Sequence, residues 1–145
     1  MPIRKRVPTD NSLLVEIWLR AVRATHTFLS EQDIEELYPQ VRDLYLPAVD
    51  IWVCEDATGC LTGFIGLQDT QVEMLFVDPA NFGQGIGTAL LDHARKRHAS
   101  LTVDVNEQNP RAHGFYRRYG FEDAGRSATD SAGRPFPLIH MVLPQ

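Results

Sequence analysis

A glycine-rich turn that joins a strand to a helix constrains the fold of this chain more than any other segment. The apolar run 72–77 ends at Asp78-Pro79, and Gly83, Gly85 and Gly87 follow just before an amphipathic helix. Glycines at alternate positions let the backbone approach a bulky anion, because no Cβ atoms stand in the way. A helix that begins at such a turn points free N–H groups and its positive dipole end at the anion. The segment therefore predicts a site where main-chain amides hold a pyrophosphate.

The glycine spacing differs from that of two common nucleotide-binding loops. A dinucleotide-binding G-x-G-x-x-G that begins at Gly83 needs glycine or alanine at position 88, where this chain has Thr88. A P-loop needs Gly-Lys followed by serine or threonine, and Gly-Lys occurs nowhere in the sequence. The glycines therefore indicate a phosphate site of another kind.

A second motif follows at residues 109–121 and reads N-x-x-A-x-x-F-Y-x-x-x-G-F. Together with the glycine turn, in this order and at this distance, it resembles the two cofactor motifs of the GNAT-type N-acetyltransferase superfamily. The resemblance covers the whole chain, although the specific motifs lie between residues 72 and 121. The segment A-T-H-T-F-L at residues 24–29 is similar to one in small bacterial GNAT proteins. The resemblance implies direct transfer of an acetyl group from acetyl-CoA to a primary amine.

The hydrophobic pattern predicts a single α/β domain over residues 1–145. Apolar spacings of three and four residues predict helices, whereas alternation predicts strands. Strands are expected at 3–7, 51–54, 61–67, 72–77 and 101–105, helices at 13–22, 31–45, 84–98 and 110–119, and two further strands on either side of 129–133. Pro39 is expected to kink or split the second helix. The order β-α-α-β-β-β-α-β-α-β-β is that of the GNAT acyl-CoA N-acyltransferase fold, an α+β arrangement around a mixed sheet.

Composition and charge narrow the classes of function. The net charge of −5 argues against nucleic acid as a partner, which calls for a basic face, and suits an acceptor with a cationic amine. No apolar run approaches the ~20 residues that a membrane helix needs, so no membrane association is expected. Neither Cys54 and Cys60 nor the histidines show metal-ligand spacing, so no metal is expected. The cysteines are expected to be reduced thiols in a cytoplasmic protein.

The resemblance implies a cofactor site that consists largely of main-chain groups. The pantetheine arm of coenzyme A would pair with the end of the strand 72–77, and the pyrophosphate would contact the amides of residues 82–88. The implied cofactor residues are Leu75, Phe76, Val77, Phe82, Gly83, Gln84, Gly85, Ile86, Gly87, Thr88, Asn109, Ala112 and Tyr116. Phe82 stands where the family usually has arginine or glutamine, so a side-chain contribution is lost there.

Four polar residues of the second motif have two interpretations each. Asn109 either bonds the pantetheine arm or caps a helix, and a cap and a ligand use different atoms. Arg111, Arg117 and Arg118 either reach the 3′-phosphate of the cofactor or form a solvated helix face. The sequence leaves these alternatives open.

Tyr116 and Glu73 are the candidate catalytic residues. Tyr116 matches the tyrosine that in this superfamily commonly donates a proton or a hydrogen bond to the leaving sulfur. A phenol, with an ordinary pKa of ~10, is protonated at neutral pH and can donate, but a core aromatic is the alternative. Strand alternation places Glu73 on the same face as Leu75 and Val77, where it either takes the proton of the amine, directly or through water, or simply attracts a cation. An exposed carboxylate, or a water chain without a dedicated base, is the alternative for Glu73.

The resemblance implies an acceptor pocket between the first two helices. His26 lies there, with Trp18 and Phe28 as aromatic walls, and a buried or capping histidine is the alternative. The expected partner is a small-molecule or peptide amine, and both a monomer and a homodimer remain open. Two other functions also remain open: transfer of a different acyl group, and acyl-CoA binding by a non-catalytic sensor or regulator on the same fold.

Overall fold

The computed structural model describes residues 2–144 and shows a mixed α/β fold built on one sheet. Its strands are β1 (Ile3–Lys5), β2 (Asp50–Glu55), β3 (Leu61–Gln68), β4 (Gln71–Val77), β5 (Leu101–Asn106), β6 (Glu122–Ser127) and β7 (Leu138–Leu143). Its α-helices are α1 (Asn11–Thr25), α2 (Glu31–Gln40), α3 (Leu46–Ala48), α4 (Ile86–Arg95) and α5 (Pro110–Tyr119). Short 3-10 turns occur at Pro8–Asp10 and Pro79–Asn81, and a π-helical segment at Val41–Tyr45 joins α2 to α3. The predicted α/β class and element order are confirmed, with α2 to α3 in the place of the second helix.

The second helical region begins as its sequence predicts but does not break at its first proline. The Ser30 hydroxyl accepts the Asp33 N–H at 3.1 Å, and the Asp33 carboxylate accepts the Ser30 N–H at 3.0 Å, which forms a capping box. Pro39 does not split the helix, because the Val41 N–H still bonds carbonyls one turn back. The irregularity follows, where the Leu46 N–H reaches back five residues to the Val41 carbonyl.

The sheet opens between its two parallel strands. Its order is β1-β2-β3-β4-β5-β7-β6, and within it only β4 and β5 run parallel. The ladder between them has two pairs, Gln71 with Thr102 and Val72 with Val103. Beyond these pairs, residues 75–77 have no ladder partner on the β5 side within the described chain. Their main-chain groups on that side are therefore free to pair with an extended ligand.

Helices cover both faces of this sheet. α4 and α5 pack on one face, where Leu90 and Leu91 are fully buried. α1 and α2 pack on the opposite face over β2, β3 and β4, where Leu14, Ile17 and Phe64 are buried. The helical periodicity of the sequence therefore marks the faces that the two cores use. The glycine turn lies at the carboxyl end of β4, directly before α4.

A β-bulge in β4 changes the alternation that the sequence predicts. Gly66 of β3 pairs with Met74, and the next residue, Leu67, pairs with Val72. Glu73 lies between these two partners and is the extra residue of the bulge. Its neighbour Met74 packs in the core of α1 and α2, whereas Leu75 packs against the core of α4 and α5. The prediction that Glu73 shares a face with Leu75 is wrong, because the bulge turns Glu73 toward the side of Met74.

A buried carboxylate, Asp10, connects β1 to the start of α1 and is 6% exposed. It accepts hydrogen bonds from the Arg4 guanidinium at 2.8 and 3.1 Å and from the Val7 N–H at 2.9 Å. The hydrogen bond from Arg4, followed by that from the Val7 backbone, lowers the pKa of Asp10. The ionised form of Asp10 therefore contributes to stability.

We expect Asp10→Ala to lower the free energy of unfolding at neutral pH by about 1–3 kcal/mol, because Arg4 and Val7 lose their acceptor. A carboxylate with a lowered folded-state pKa contributes stability above its unfolded-state pKa and loses it as the pH falls through the folded value. The difference between wild type and variant in urea unfolding should therefore shrink in acid. Asp43→Ala is the control, because Asp43 and its partner Arg42 are both exposed. Equal effects of the two substitutions would contradict the role of Asp10.

Candidate functional site

A cavity of about 380 Å³ lies beside the carboxyl end of β4, where the glycine turn meets the ends of α1, α4 and α5. All but one of the expected cofactor residues line it: Leu75, Phe76, Val77, Phe82, Gly83, Gly85, Ile86, Gly87, Thr88, Asn109, Ala112 and Tyr116. The exception is Gln84, which is exposed and accepts a 3.4 Å hydrogen bond from the Asn81 side chain. The two sequence motifs thus meet at one cavity.

The backbone of the turn requires glycine at two positions. Gly83 has a φ of 78° and Gly85 a φ of 76°, both in the left-handed region that side chains disfavour. Gly85 is the N-cap of α4. The N–H groups of residues 86–88, which line the cavity, have no acceptor within the helix. The positive end of α4 therefore borders the cavity and suits an anion.

Asp78 attaches this turn to the rest of the fold. Its carboxylate accepts the Ala80 N–H at 3.2 Å and a hydrogen bond from Arg20 of α1 at 2.7 Å. Its own N–H donates to the carbonyl of Thr62 in β3 at 2.8 Å. These contacts attach the start of the turn to α1 and β3.

Gly87 allows α4 and α5 to approach each other closely. A Cβ atom at this position would lie 3.1 Å from Cζ of Phe115, closer than ordinary van der Waals contact. The missing side chain lets the Phe115 ring lie against the first turn of α4. Phe115 and its neighbour Tyr116 therefore both reach the cavity wall.

The three arginines of the second motif have different environments. Arg111 and Arg118 line the cavity, and the Arg111 guanidinium lies 4.9 Å from the centre of the Phe82 ring. Arg117 instead forms an ion pair with Asp123. The stacking places a cation beside Phe82, so α5 supplies the positive charge that the turn itself lacks.

Tyr116 is buried at the cavity wall, where it is 7% exposed. Its ring makes edge-on contacts with Phe115 and Phe121, each with centroids 5.2 Å apart. Burial raises the pKa of Tyr116 well above its ordinary value, so the phenol remains protonated. Tyr116 thus packs in the core and also presents a proton donor to the cavity.

The position of Asn109 suits both of its predicted roles. It caps α5, and it also lines the cavity. Its Oδ1 accepts the Ala112 N–H at 3.2 Å, and Pro110 occupies the first helical position. Asn109 is 6% exposed. The cap uses Oδ1 and leaves the Nδ2 hydrogens for another acceptor.

The three residues expected to line the acceptor pocket do not all lie together in the structure. His26 lines the cavity, and its ring packs against Phe28 and Phe76 with centroids 5.4 and 6.3 Å apart. Phe28 in turn packs against Phe136 of the segment before β7, at 5.7 Å. Neither Phe28 nor Trp18 lines the cavity. Trp18 is 5% exposed and buried in the core of α1 and α2. The helical repeat places Trp18 on the inward side of α1, so its prediction as a pocket wall is wrong.

Glu73 lines a second cavity, of about 300 Å³, with Asp130 and Arg134. This cavity lies between the π-helical segment, β4 and residues 130–134. Burial and, to a smaller extent, the charge of Asp104 raise the pKa of Glu73. The bulge places Glu73 in this other cavity and not in the one that Tyr116 lines, so the strand alternation on which its predicted role as a base depends is not found.

Sequence reasoning missed two residues of the first cavity and one group of hydrogen-bonded residues that lies outside both cavities. Thr25 and Ala21 line the first cavity four residues apart on α1, a spacing that the sequence does show. Asp104, His140 and Ser127 form a hydrogen-bonded chain across β5, β7 and β6, with 2.6 Å from Asp104 Oδ1 to His140 Nδ1 and 2.6 Å from His140 Nε2 to Ser127 Oγ. No local sequence pattern indicates these hydrogen bonds, because the three residues are distant from one another in the sequence.

Residues 2–144 contain neither a candidate metal site nor a candidate membrane-spanning helix. Among these residues, no cluster of three or more histidine, cysteine, aspartate or glutamate side chains could hold a metal ion. In the same part of the chain, no helix combines the length and the apolar character needed to cross a membrane.

Known proteins resemble this chain in sequence over most of its length. The family model of the acetyltransferase (GNAT) domain matches residues 47–123. The peptidyl-lysine N-acetyltransferase YjaB of Salmonella typhimurium is 41% identical over 142 residues, which cover 98% of this chain and 97% of that protein.

Two solved structures show the same fold. The solution structure of the apo form of YjaB from Escherichia coli has a TM-score of 0.91 and 39% identity, and the match covers 98% of this chain and 96% of that one. The crystal structure of PaiA N-acetyltransferase from Thermoplasma acidophilum in complex with coenzyme A has a TM-score of 0.77 and 21% identity, with complete coverage of both chains. The GNAT fold that the order of elements predicts is therefore confirmed.

Proposed function

This chain belongs to the GNAT family of acetyltransferases, and we propose that it transfers the acetyl group of acetyl-CoA directly to the side-chain amine of a peptide lysine. The observation that carries this proposal is a single cavity that joins the free N–H groups of α4 to the phenol of Tyr116. The first group suits an anionic cofactor and the second suits a leaving thiolate. The peptidyl-lysine activity named for the Salmonella relative supports lysine as the acceptor.

The chain offers a separate set of groups to each part of coenzyme A. The free edge of residues 75–77 would pair with the amides of the pantetheine arm. The amides of residues 86–88 would bind the pyrophosphate, and Arg111 and Arg118 would add positive charge near the phosphates. The coenzyme A complex of the Thermoplasma protein, which shares this fold, supports the same cofactor.

Acetyl transfer needs little covalent help, because the thioester is already activated. The amine nitrogen attacks the carbonyl carbon, the carbon–sulfur bond breaks, and the amine loses a proton. The Tyr116 phenol, which burial keeps protonated, would give its proton to the sulfur. The cavity therefore has to orient the amine and accept its proton.

The lining of the second cavity has two carboxylates, those of Glu73 and Asp130, and one cation, Arg134, and this excess of negative charge favours a cationic acceptor. Glu73 and Asp130 line this cavity, and Arg134, whose backbone N–H bonds Asp130 at 2.9 Å, completes its wall. The contact between Phe28 and Phe136 connects the α1–α2 loop to the segment that follows Arg134. We place the peptide around the acceptor lysine over this second cavity, where carboxylates and the overall negative charge attract it.

A thiol-release assay with a panel of amines tests this function. We expect acetyl-CoA and a lysine peptide to release thiol and to yield a peptide heavier by one acetyl group. The same peptide with glutamine in place of lysine should release none. A polyamine, a free amino acid and an aminoglycoside complete the panel, and preference for one of them would overturn the peptide acceptor. Binding of acetyl-CoA without thiol release for any amine would identify a non-catalytic sensor instead.

The effect of acetyl-CoA on protein stability tests the identity of the cofactor separately. Acetyl-CoA at 100 times its dissociation constant should raise the free energy of unfolding by ~2.7 kcal/mol, because it binds the folded state alone. Thermal unfolding measures the corresponding rise in the melting temperature. NAD and ATP serve as controls and should give no shift at equal concentration. A shift with either control and none with acetyl-CoA would contradict the cofactor assignment.

We further propose that the enzyme works in the cytoplasm. Cys54 is buried and Cys60 is exposed, and both are free thiols. A reducing compartment keeps such thiols free.

A further inference from the structure

The hydroxyl of Thr25 fixes the tautomer of His26. Thr25 Oγ1 donates its single hydrogen to the carbonyl oxygen of Ala21, at 2.8 Å. The same oxygen lies 2.8 Å from Nδ1 of His26, so Nδ1 has to be the donor of that second hydrogen bond. A neutral imidazole carries one N–H, and Nε2 of His26 therefore keeps its lone pair.

The surroundings of His26 keep its ring uncharged. Two aromatic rings, Phe28 and Phe76, pack against it, and the His26 N–H bonds the Val22 carbonyl at 2.8 Å, which fixes the backbone. Removal from water lowers the pKa of His26 to about 4. At neutral pH the ring is therefore an acceptor with a free lone pair and does not repel a cationic substrate.

His26 shares its cavity with Tyr116, whereas Glu73 lies in the other cavity. The other titratable residues that line this cavity are Arg111 and Arg118, and guanidinium groups remain protonated and have no acceptor. Among the described residues of the cavity wall, His26 is thus the one neutral base. A proton donor and a proton acceptor then border the same space.

We infer that Nε2 of His26 accepts the proton that the acceptor amine loses when its nitrogen bonds the acetyl carbon. This inference rests on the proposed acetyl transfer. The lysine ammonium first gives one proton to water, because only the neutral amine has a lone pair for the attack. As the carbon–nitrogen bond forms and the carbon–sulfur bond breaks, the remaining amine proton passes to Nε2 and the phenol proton of Tyr116 passes to sulfur. The imidazolium then returns a proton to the Tyr116 phenolate, directly or through water, and both groups are restored.

A base that is unprotonated before each turnover suits these proton transfers. The nitrogen of the amine becomes strongly acidic only as it gains positive charge in the attack on the carbonyl. His26, which is neutral beforehand, can receive a proton at that moment. The imidazolium, buried and therefore a strong acid, releases the proton afterwards.

Substitution of His26 by glutamine tests its role in proton transfer. Glutamine can accept a hydrogen bond but cannot take up the proton, so kcat should fall by roughly 100-fold while KM for acetyl-CoA changes little. The dependence of the rate on the basicity of the amine supplies a second readout. With His26→Gln, the rate should fall more steeply along a series of weaker amines than with the wild type.

Two substitutions at Thr25 test the tautomer without altering the base itself. Thr25→Val removes the hydroxyl at nearly constant volume, so Nδ1 loses its acceptor and kcat should fall several-fold. Thr25→Ser keeps the hydroxyl as an acceptor for Nδ1, so its kcat should be several-fold higher than that of Thr25→Val. Folding of each variant is checked by circular dichroism and by its affinity for acetyl-CoA.

The outcomes separate this inference from the proposed function. An active wild type whose kcat and amine dependence are unchanged in His26→Gln overturns the role of His26 and leaves acetyl transfer intact. Equal rates for Thr25→Val and Thr25→Ser overturn the tautomer argument. A wild type that releases no thiol with any amine overturns the proposed function and the inference together.

Discussion

Tyr116→Phe is expected to lower turnover by roughly 10²–10⁴-fold while the dissociation constant of acetyl-CoA changes little. The substitution removes only the hydroxyl, so the ring keeps its contacts with Phe115 and Phe121. Without the phenol, the thiolate leaves without a proton donor, which affects the transition state more than the bound substrate. The measurement is turnover with the best amine of the panel, after burst kinetics show that the chemical step limits the rate.

Tyr119→Phe is the matched control for this experiment. Tyr119 lies on the same helix, but its hydroxyl donates to Asp92 at 2.6 Å and it does not line the cavity. Tyr119→Phe removes the same hydroxyl from the same residue type, but it should leave turnover unchanged. If Tyr116→Phe keeps the full rate, the thiolate leaves unaided or takes its proton from water, and the acetyltransferase mechanism would lose its acid.

The cofactor side of the site could be predicted from sequence because its signals are local. The stretch from β4 to α4 shows an apolar strand, Asp78-Pro79, three glycines and an amphipathic helix in order. Asn109, Pro110 and Gly120 likewise mark the ends of α5, where the structure places a cap, a first-turn proline and a residue with a φ of 127°. Such signals depend on residues a few positions apart, so they survive in any fold that keeps those elements.

The acceptor side could be predicted less well because its geometry depends on distant segments. The register between β3 and β4 decides whether Glu73 follows the alternation of β4. The bulge that changes this alternation appears only when the two strands pair. The stacking of Arg111 on Phe82 likewise joins two motifs that the sequence separates. The bond from Thr25 to Ala21 is an exception, since a threonine hydroxyl that bonds the carbonyl four residues back is a local pattern.

Gly85→Val tests the phosphate site and is expected to raise the dissociation constant of acetyl-CoA by roughly 100-fold, which is about 2.8 kcal/mol. Gly85 precedes the first N–H groups of α4, and its side chain would occupy the space where phosphate oxygens approach. A hydrogen bond to a charged group contributes about 1.5–3 kcal/mol, so the loss of one or two such bonds gives a change of this size. Calorimetric titration measures the affinity.

Backbone strain has to be separated from this loss of contacts, because valine at position 85 would adopt a φ near 76°. Gly59→Val supplies the comparison: Gly59 has a φ of 86° in the turn between β2 and β3, and no atom lies within 4 Å of a Cβ built there. Both variants should lose about 1–2 kcal/mol of stability, but only Gly85→Val should lose affinity for acetyl-CoA. A normal affinity in Gly85→Val would place the pyrophosphate elsewhere than on the N-terminus of α4. Equal losses of affinity in both variants would show that strain, and not a blocked phosphate site, weakens binding.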